Sequence, residues 1–327
     1  MAGIELSTII PTFNRRARLE RVLQALAAQS VPSDGFEVIV VDDGSTDGTT
    51  EACAAQNTPF ALRVLRQENA GPATARNRGV QAAQGAIVLF LDDDVVPATD
   101  LIREHLTTHA KERGIAVIGP LASLPSYRQP WVAWEQRKIE RQYDAMLRGD
   151  WEPTYRQFWT GNASVARELV LQVGGFDPRF QRAEDVEFAA RLRERGVRFR
   201  FNPAALGVHH AERSLASWGL MHRAYGRLEM SIHGAAGQNA ALDRMADNWR
   251  GLRPATRGLV KSLLGRPLAA ASTSALLRAV ILSGAVLPLG RLTQAACSAL
   301  ANVFYWSGVE ETLGAEALRG VLARAKR

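Results

Sequence analysis

Short apolar runs alternate with amphipathic segments through the first part of the chain. The apolar runs have the length of strands, and the amphipathic segments place apolar side chains at helical spacing, as in Leu19, Val22, Leu23 and Leu26. The pattern predicts strands at 6–11, 37–41, 62–65, 86–91, 161–167 and 198–201. It predicts helices at 15–29, 49–56, 72–83, 100–113 and 185–195, the fourth capped by Thr99 or Asp100. Such alternation is typical of an α/β fold with a mostly parallel sheet and helices on both faces.

The middle and the end of the chain are less regular. Residues 123–155 predict a helix with flanking loops over the ligand-binding edge of the sheet. Beyond about Ser214, helical segments continue to the C-terminus and are interrupted by Pro254, Pro267 and Pro288. The apolar stretch 275–289 contains Arg278, and its uninterrupted part is shorter than the ~18–20 residues that a membrane span needs. We therefore predict an interfacial or packed helix there.

The length and composition indicate a catalytic domain with an appendage, because the chain has 327 residues and a hydrophobic content of 46%. We predict a catalytic domain at 1–230, with halves at 1–119 and 120–230, followed by a helical region at 231–327. Cys53 and Cys297 lie far apart in the sequence, which argues against a disulfide framework. No secretory signal precedes the first strand, so we expect a cytoplasmic protein.

The excess positive charge lies in the last quarter of the chain. Residues 251–327 hold ten Lys and Arg residues against three Glu, which accounts for the whole formal net charge of +7. A basic segment with apolar stretches indicates an anionic membrane surface, here the inner face of the plasma membrane. An ordinary solvated basic face is the alternative. We expect no nucleic-acid partner, because no helix-turn-helix, zinc or RNA-binding signature is present.

Three consecutive carboxylates, Asp92, Asp93 and Asp94, follow the apolar run at 86–91. So much negative charge at the end of a buried strand is costly unless positive charge lies beside it. A hard divalent cation fits best, because Mg²⁺ and Mn²⁺ take oxygen ligands and often share them with substrate phosphates. A solvated acidic turn is the alternative.

Several short motifs occur in a fixed order, and the acidic triplet is one of them. They are Ile10-Pro-Thr-Phe-Asn-Arg15, Val40-Val-Asp-Asp-Gly-Ser-Thr-Asp47, Asn69-Ala-Gly-Pro-Ala-Thr-Ala-Arg-Asn-Arg-Gly79, Leu91-Asp-Asp-Asp94, Gly174-Gly-Phe-Asp177, Ala183-Glu-Asp-Val-Glu187 and Val208-His-His210. Each motif is weak alone. Together they resemble family 2 of the inverting glycosyltransferases over about residues 4–230, which implies a GT-A fold and a nucleoside-diphosphate sugar donor.

The resemblance implies a nucleoside site built by the first motifs. Pro11, Thr12 and Asn14 would lie along the base and ribose, and Asp42 or Asp43 would accept a hydrogen bond from the nucleoside. A helix-capping turn is the alternative for the two aspartates.

Arg76 would pair with the diphosphate or with an aspartate of the site, using its planar donor fork. A surface salt bridge is its alternative.

The resemblance also implies a cation site. Asp92 would face the ribose, Asp93 would take the variable middle place, and Asp94 would bind Mg²⁺ or Mn²⁺. His209 would complete the metal shell, with His210 open for the same role.

The remaining motifs imply the reaction and its acceptor side. Asp185 would be the general base that accepts the proton of the acceptor hydroxyl, and Glu184 would orient the site. The alternative is that Glu184 and Asp185 are acids at a helix N-terminus that only interact favourably with the helix dipole. Trp159, Gly161 and Asn162 resemble the segment that lines the acceptor side.

The sequence therefore predicts an inverting, metal-dependent glycosyltransferase of cell-envelope or other glycan synthesis. A UDP- or dTDP-sugar is the expected donor, and a glycan or a lipid-linked molecule is the expected acceptor. The alternatives are a sugar-nucleotide pyrophosphorylase and a non-catalytic, membrane-attached nucleotide-sugar binding protein. A pyrophosphorylase would have a Gly-rich, basic phosphate-binding loop near the N-terminus. This chain has Pro11-Thr-Phe-Asn14 in that place, which argues against the first alternative.

Overall fold

The computed structural model describes residues 3–231, 238–286 and 290–324. Its contacts divide the chain into two compact units. The first comprises Met1–Pro125 and Arg137–Ala211, and the second comprises Ser126–Gln136 and Glu212–Arg327. The division falls at residue 211 rather than at the expected 230, because the helix that begins at Leu215 packs against the C-terminal helices.

The first unit is built on β-strands. They are β1 (Leu6–Thr12), β2 (Phe36–Asp42), β3 (Ala61–Arg66), β4 (Ile87–Leu91), β5 (Val95–Pro97), β6 (Ile115–Ile118), β7 (Leu121–Ser123), β8 (Asn162–Ala166), β9 (Arg198–Phe201) and β10 (Gly207–His209). Within the described residues a seven-stranded sheet has the order β3-β2-β1-β4-β8-β6-β9, and a three-stranded sheet has the order β5-β10-β7.

Helices flank the strands of this unit. They are α1 (Arg16–Leu26), α2 (Thr49–Ala54), α3 (Pro72–Ala82), α4 (Leu101–Lys111), α6 (Arg167–Gln172) and α7 (Glu184–Glu194), while α5 (Pro130–Leu147) holds residues of both units. The mixed α/β fold with a mostly parallel sheet confirms the predicted fold class. Asp100, one of the two predicted caps, is the N-cap residue of α4, but its side chain makes no capping hydrogen bond and pairs with Arg103 at 2.8 Å.

Apolar burial explains the layers. Every residue of β2 is buried, as the nearly continuous apolar run predicts for a strand covered on both faces. Helix α1 buries Leu19, Val22, Leu23 and Leu26, the residues at helical spacing. Gly79 lets α3 approach β1 closely, because a Cβ atom there would lie 2.4 Å from Ile9 Cγ2.

Strand β8 departs from the parallel pattern. It runs antiparallel to both β4 and β6, whereas β1, β2, β3 and β4 pair in parallel. Its first residue, Asn162, therefore lies opposite Leu91, the last residue of β4. The start of β8 thus meets the edge of the sheet at which the acidic triplet begins.

The second unit is helical in its described part. Its helices are α8 (Leu215–Ser231), α9 (Gln238–Arg250), α10 (Pro254–Leu263), α11 (Pro267–Ser283), α12 (Gly290–Leu313) and α13 (Ala315–Arg324). Helices α8 and α12 pack closely, since a Cβ atom at Gly226 would lie 2.0 Å from Tyr305 O and one at Gly308 would lie 2.1 Å from Arg223 O. Trp249 and Trp306 meet edge to face in a buried cluster.

The apolar stretch predicted at 275–289 is partly outside the described residues, which omit 287–289 and therefore Pro288. Across the ranges 3–231, 238–286 and 290–324, we find no helix whose length and hydropathy together would suffice to cross a membrane.

Candidate active site

The middle carboxylate of the triplet is the most deeply buried. Asp93, only 3% exposed, accepts hydrogen bonds from Thr12 Oγ1 and Arg15 Nη1, each at 2.8 Å. Burial raises the pKa of Asp93 to about 6, although the guanidinium of Arg15 opposes the rise. Thr12 and Asp93, both predicted as donor-binding residues, are therefore brought together by the ends of β1 and β4.

Asp94 lies between two arginines and a histidine. One carboxylate oxygen, Oδ2, is 3.3 Å from Arg15 Nη1 and 3.8 Å from Arg18 Nη1. The other, Oδ1, is 3.6 Å from Nε2 of His209. The backbone N–H of His210 donates to the Asp94 carbonyl at 2.8 Å. The imidazole that the structure brings to this carboxylate is thus that of His209.

Arg76 joins two acidic motifs that are distant in the sequence. Its Nη1 atom lies 2.7 Å from Glu184 Oε1, and its Nη2 atom lies 2.9 Å from Asp92 Oδ1. The side chain of Arg76 is almost fully buried, whereas that of Asp92 is partly exposed. Of the two partners predicted for Arg76, the structure brings the aspartate to it and adds Glu184.

Local packing fixes the direction of Arg76. The next residue, Asn77, exchanges two hydrogen bonds of 2.7 Å with the backbone N–H and carbonyl of Phe176. The ring of Phe176 in turn lies under the Arg76 guanidinium, 5.8 Å from its centroid to Cζ. A left-handed glycine, Gly175 at φ +71°, permits this contact, because a Cβ atom there would collide with Asn77. The Gly174–Asp177 motif thus acts as a support for Arg76.

Helix α7 begins with the two predicted catalytic carboxylates. Ala183 precedes it in a left-handed conformation at φ 60°, which is strained for a residue with a Cβ atom. Glu184 is buried against Arg76, and Asp185 accepts from the Val186 N–H at 2.8 Å. Desolvation and the charge of Glu184 raise the pKa of Asp185 above its ordinary value of 3.8, and Arg76 opposes the rise.

The residues predicted to hold the nucleoside form a connected loop network. Asn14 Oδ1 accepts from the Thr46 N–H at 2.8 Å, which ties the first motif to the second. Asp42 is buried and accepts from Thr50 Oγ1 and from the Ser45 N–H. Asp42 thus holds the turn before α2 without capping the helix, because Ser45 precedes α2 and the Thr50 donor is a side-chain hydroxyl.

Asp43 also has protein partners. Its carboxylate accepts from the N–H groups of Ala70 and Gly71 at 2.9 and 2.8 Å and from Gln67 Nε2 at 2.7 Å. It thereby holds the glycine turn that precedes α3 to the end of β2. Pro11 is partly buried in β1, in register with Val41 of β2.

The predicted acceptor-side residues separate into two groups. Trp159 is partly buried and Gly161 contacts Asp92, since a Cβ atom at Gly161 would lie 3.2 Å from Asp92 Oδ2. Asn162 does not face an acceptor, because it is 1% exposed and all its amide atoms have protein partners. They are Pro120 O, Ala205 O and His105 Nε2. The side chain of Asn162 therefore stabilises the core behind the site.

Three residues of the site were not singled out from the sequence. Arg15 and Arg18 supply positive charge to the triplet, and Phe13 is 46% exposed between Thr12 and Asn14. Arg15 and Phe13 lie within the first motif, so that motif was their signal. Arg18 had none, because an arginine on a predicted amphipathic helix is usually a solvated side chain.

The charge of the site fits a divalent cation. Five carboxylates, those of Asp92, Asp93, Asp94, Glu184 and Asp185, face three guanidinium groups, those of Arg15, Arg18 and Arg76. When all are ionised, two negative charges remain in excess. No cluster of three or more His, Cys, Asp or Glu side chains suited to a metal occurs in the described part of the chain. Asp94 and His209 nevertheless offer an oxygen and a nitrogen ligand, and Mg²⁺ often binds through one or two carboxylates plus substrate phosphates.

Comparison with known proteins decides the family. The model of "Glycosyl transferase family 2" matches residues 7–171, which include both partners of the Arg15–Asp93 ion pair. This chain belongs to glycosyltransferase family 2. The predicted family is thereby confirmed.

Curated relatives of this family 2 glycosyltransferase include two proteins at 30% identity. One is the uncharacterized glycosyltransferase YfnE of Bacillus subtilis, with a match that covers 63% of this chain and 64% of that protein. The other is a validoxylamine A glucosyltransferase of Streptomyces hygroscopicus subsp. jinggangensis, with a match that covers 62% of this chain and 54% of that protein. The chain thus spans less than two thirds of the length of either relative.

Solved structures share the fold at low identity. S. aureus TarS 1-349 in complex with UDP-GlcNAc has a TM-score of 0.59 at 18% identity, covering 94% of this chain and 91% of that one. The mannosyltransferase PcManGT from Pyrobaculum calidifontis, in complex with GDP-Man and Mn²⁺, has a TM-score of 0.56 at 22% identity, covering 94% and 88%.

Proposed function

We propose that this family 2 glycosyltransferase moves a sugar from a nucleoside-diphosphate sugar to an acceptor hydroxyl, with inversion at the anomeric carbon. The observation that carries the proposal is the position of Arg76 between Asp92 and Glu184, beside Asp185. This ion-pair bridge connects the donor motif at the end of β4 to the predicted base at the start of α7. Ligands of open α/β sheets bind at the carboxyl ends of strands, where these groups lie.

The donor side follows from the first motifs. The exposed ring of Phe13 offers an apolar surface for a base, and Asn14 and Thr46 border it. Asp92, whose side chain is partly exposed, can accept from a ribose hydroxyl. Structures with the same fold hold UDP-GlcNAc or GDP-Man, which supports a nucleotide-sugar donor. UDP- and dTDP-sugars remain the donors that we propose first.

The diphosphate would lie by Asp94 and His209, the residues that would hold Mg²⁺ or Mn²⁺. When bound, the cation would supply positive charge that favours departure of the nucleoside diphosphate. Arg15 and Arg18 direct further positive charge to the same carboxylate, so they would attract a diphosphate as well. Mn²⁺ in the complex of PcManGT with GDP-Man supports this assignment.

The reaction is a single displacement. The acceptor oxygen forms a bond to the anomeric carbon while the bond from that carbon to the diphosphate oxygen breaks, and the diphosphate leaves with the electron pair. Asp185 takes the proton of the acceptor hydroxyl as that oxygen becomes acidic in the transition state. The raised pKa of Asp185 makes it a stronger base than an ordinary carboxylate. Glu184 and Arg76 hold the start of α7 in place.

We also propose that the acceptor is a glycan or a lipid-linked molecule, modified at the inner face of the plasma membrane. The basic and apolar C-terminal quarter supports this location, since it would keep the protein beside a lipid-linked acceptor.

Calorimetry with UDP-, dTDP- and GDP-sugars tests the donor proposal, on protein treated with a chelator and on the same protein with Mn²⁺ restored. We expect one donor to bind at least about tenfold more tightly with Mn²⁺, a difference of 1.4 kcal/mol. Asp94→Asn should remove that difference. Equal binding in both samples would overturn the metal assignment.

The reaction itself has two further tests. Release of pyrophosphate from a nucleoside triphosphate would favour the pyrophosphorylase alternative. An unchanged anomeric configuration in the product would exclude a single displacement.

A further inference from the structure

One face of helix α11 exposes a continuous apolar surface, which we call the α11 outer face. Its large residues are Leu268, Leu276 and Leu282, with exposed fractions of 84%, 67% and 52%, and Val286, 85% exposed, follows in the turn after the helix. Exposed small residues fill the spaces between them, namely Ala271, Ser272, Ala275, Ala279 and Ser283. These positions recur at intervals of three and four, so they share one side of the helix. The α11 outer face contains no charged residue.

The opposite side of α11 is anchored within its own unit. Ile281 is fully buried, and α11 packs against α12. A side chain at Gly284 would collide with Thr293 of α12, so the two helices approach closely there. Arg278, the only charged residue of α11, lies with Cζ 5.4 Å from the ring centroid of Phe304 on α12. The charge that interrupts the apolar sequence is thus turned away from the outer face.

The chain on either side of α11 is rich in basic residues. Residues 251–309 contain six Lys and Arg residues and neither Asp nor Glu. Arg253, Lys261 and Arg266 are exposed on and beside α10, and Arg291 is exposed at the start of α12. The nearest downstream acids are Glu310, which accepts from the Gly265 N–H, and Glu311, which is paired with Arg223 and Arg227. An apolar face whose flanking charges are mainly positive complements anionic lipid headgroups above an acyl layer.

We propose that the α11 outer face binds the surface of an anionic bilayer, with its leucines among the acyl chains and the flanking arginines at the headgroups. A second copy of the chain fits less well, because pairing two such faces would bring like charges together. The proposal names the attachment surface for the membrane location proposed above and rests on that location. It does not depend on the donor or on the reaction, so the two can fail separately.

Flotation of the full-length chain with phosphatidylcholine vesicles, with or without phosphatidylglycerol, tests the proposal. We expect binding to the anionic vesicles that falls with added salt. Leu276→Glu should lower the partition coefficient by about tenfold, which corresponds to 1.4 kcal/mol. Leu171→Glu adds the same charge at an exposed leucine of α6 and should leave binding unchanged. Arg266→Gln should weaken binding to anionic vesicles only.

Two results would overturn the proposal. One is equal flotation of the wild type, Leu276→Glu and Leu171→Glu. The other is a dimer in solution, by light scattering without vesicles, that Leu276→Glu converts to a monomer, because the face would then bind a second copy. Donor cleavage measured without vesicles should be the same in wild type and Leu276→Glu. If the wild type does not float with anionic vesicles but still cleaves the donor, the lipid surface alone is rejected. If neither the wild type nor Leu276→Glu cleaves the donor, the proposed activity is rejected.

Discussion

Nη1 of Arg76 lies 2.7 Å from Oε1 of Glu184, although 108 residues separate the two in the chain. This buried ion pair fixes the first residue of α7 against α3, and its other guanidinium nitrogen holds Asp92 at the end of β4. A buried pair of this kind is strongly destabilising when only one partner is removed, because a charge then remains without compensation.

The first prediction concerns this pair. Arg76→Ala should lower the free energy of unfolding by about 3–5 kcal/mol, because Glu184 then stays buried without a partner. Adding Glu184→Gln to Arg76→Ala should restore part of the loss, which a double-mutant cycle by chemical denaturation measures. Arg76→Lys keeps the charge but loses the two-pronged geometry, so an intermediate loss is expected. Strictly additive effects of the two substitutions would contradict the bridge.

The second prediction concerns the general base. Asp185→Asn should lower kcat by about 10²–10⁴-fold, the usual contribution of proton transfer to a positioned side chain. Nucleotide release from the donor in the presence of acceptor measures the effect, with melting temperature as the check on folding. Glu194→Gln, at the exposed end of the same helix, is the control and should keep wild-type turnover. Unchanged turnover in Asp185→Asn would show that another group accepts the proton.

The third prediction follows from the raised pKa of Asp185. Only the ionised carboxylate accepts a proton, so kcat/KM should fall as the pH drops through this pKa, which lies above the ordinary 3.8. Arg76 opposes the rise, and Arg76→Lys should move the acid limb of the profile very little because the positive charge is kept. Arg76→Gln should move it to higher pH. If the pH profile of kcat/KM is identical in both variants, the acid limb does not report the ionisation of Asp185.

The fourth prediction separates two roles for Asn162. Its buried amide has partners in Pro120, Ala205 and His105, so Asn162→Ala should lower the free energy of unfolding by about 3 kcal/mol. Asn248→Ala, at an exposed position, should change it by less than about 0.5 kcal/mol. If Asn162→Ala instead raises KM for the acceptor and leaves the stability intact, the side chain contacts the acceptor.

The fifth prediction concerns His105, which is buried between Ser164 and Asn162. Burial lowers the pKa of His105 from 6.5 to about 4. Between these two pH values the unfolded chain binds a proton at this residue and the folded chain does not. Stability is therefore full above pH 6.5 and declines as the pH falls toward 4, by about 3 kcal/mol for this residue. Denaturant midpoints at pH 7 and 4.5 measure the slope. His105→Gln should reduce the slope without abolishing it, because burial lowers the pKa of His109 to about 4 as well. If stability changes with pH equally in the wild type and in His105→Gln, groups other than His105 cause the loss of stability in acid.

Much of the fold was predictable from residue order. Strands such as β2 and β4 are apolar runs of the right length, and α1 shows its buried face as Leu19, Val22, Leu23 and Leu26. These elements are determined locally, because hydrophobic periodicity and strand length depend on neighbours in the sequence. Family membership followed from seven motifs in order.

Other features depend on residues that meet only in the folded chain. The sequence suggested a cation as the partner of Asp94, and the fold adds Arg15 and Arg18 to it. Arg18, which the sequence analysis did not single out, thereby became part of the site. Likewise, the sequence shows Arg278 only as a charge that interrupts an apolar stretch. In the structure its guanidinium lies over the ring of Phe304 on α12.

The sequence by itself determined the longer strands and helices of the first unit and which acids stand at the ends of those strands, because both follow from local pattern. The short strands β5, β6, β7 and β10 were not predicted. Only the tertiary structure decided that β8 runs antiparallel beside β4, which buries Asn162 and brings Gly161 against Asp92. Strand direction and long-range ion pairs arise from the simultaneous burial of distant segments, and no window of the sequence contains both partners.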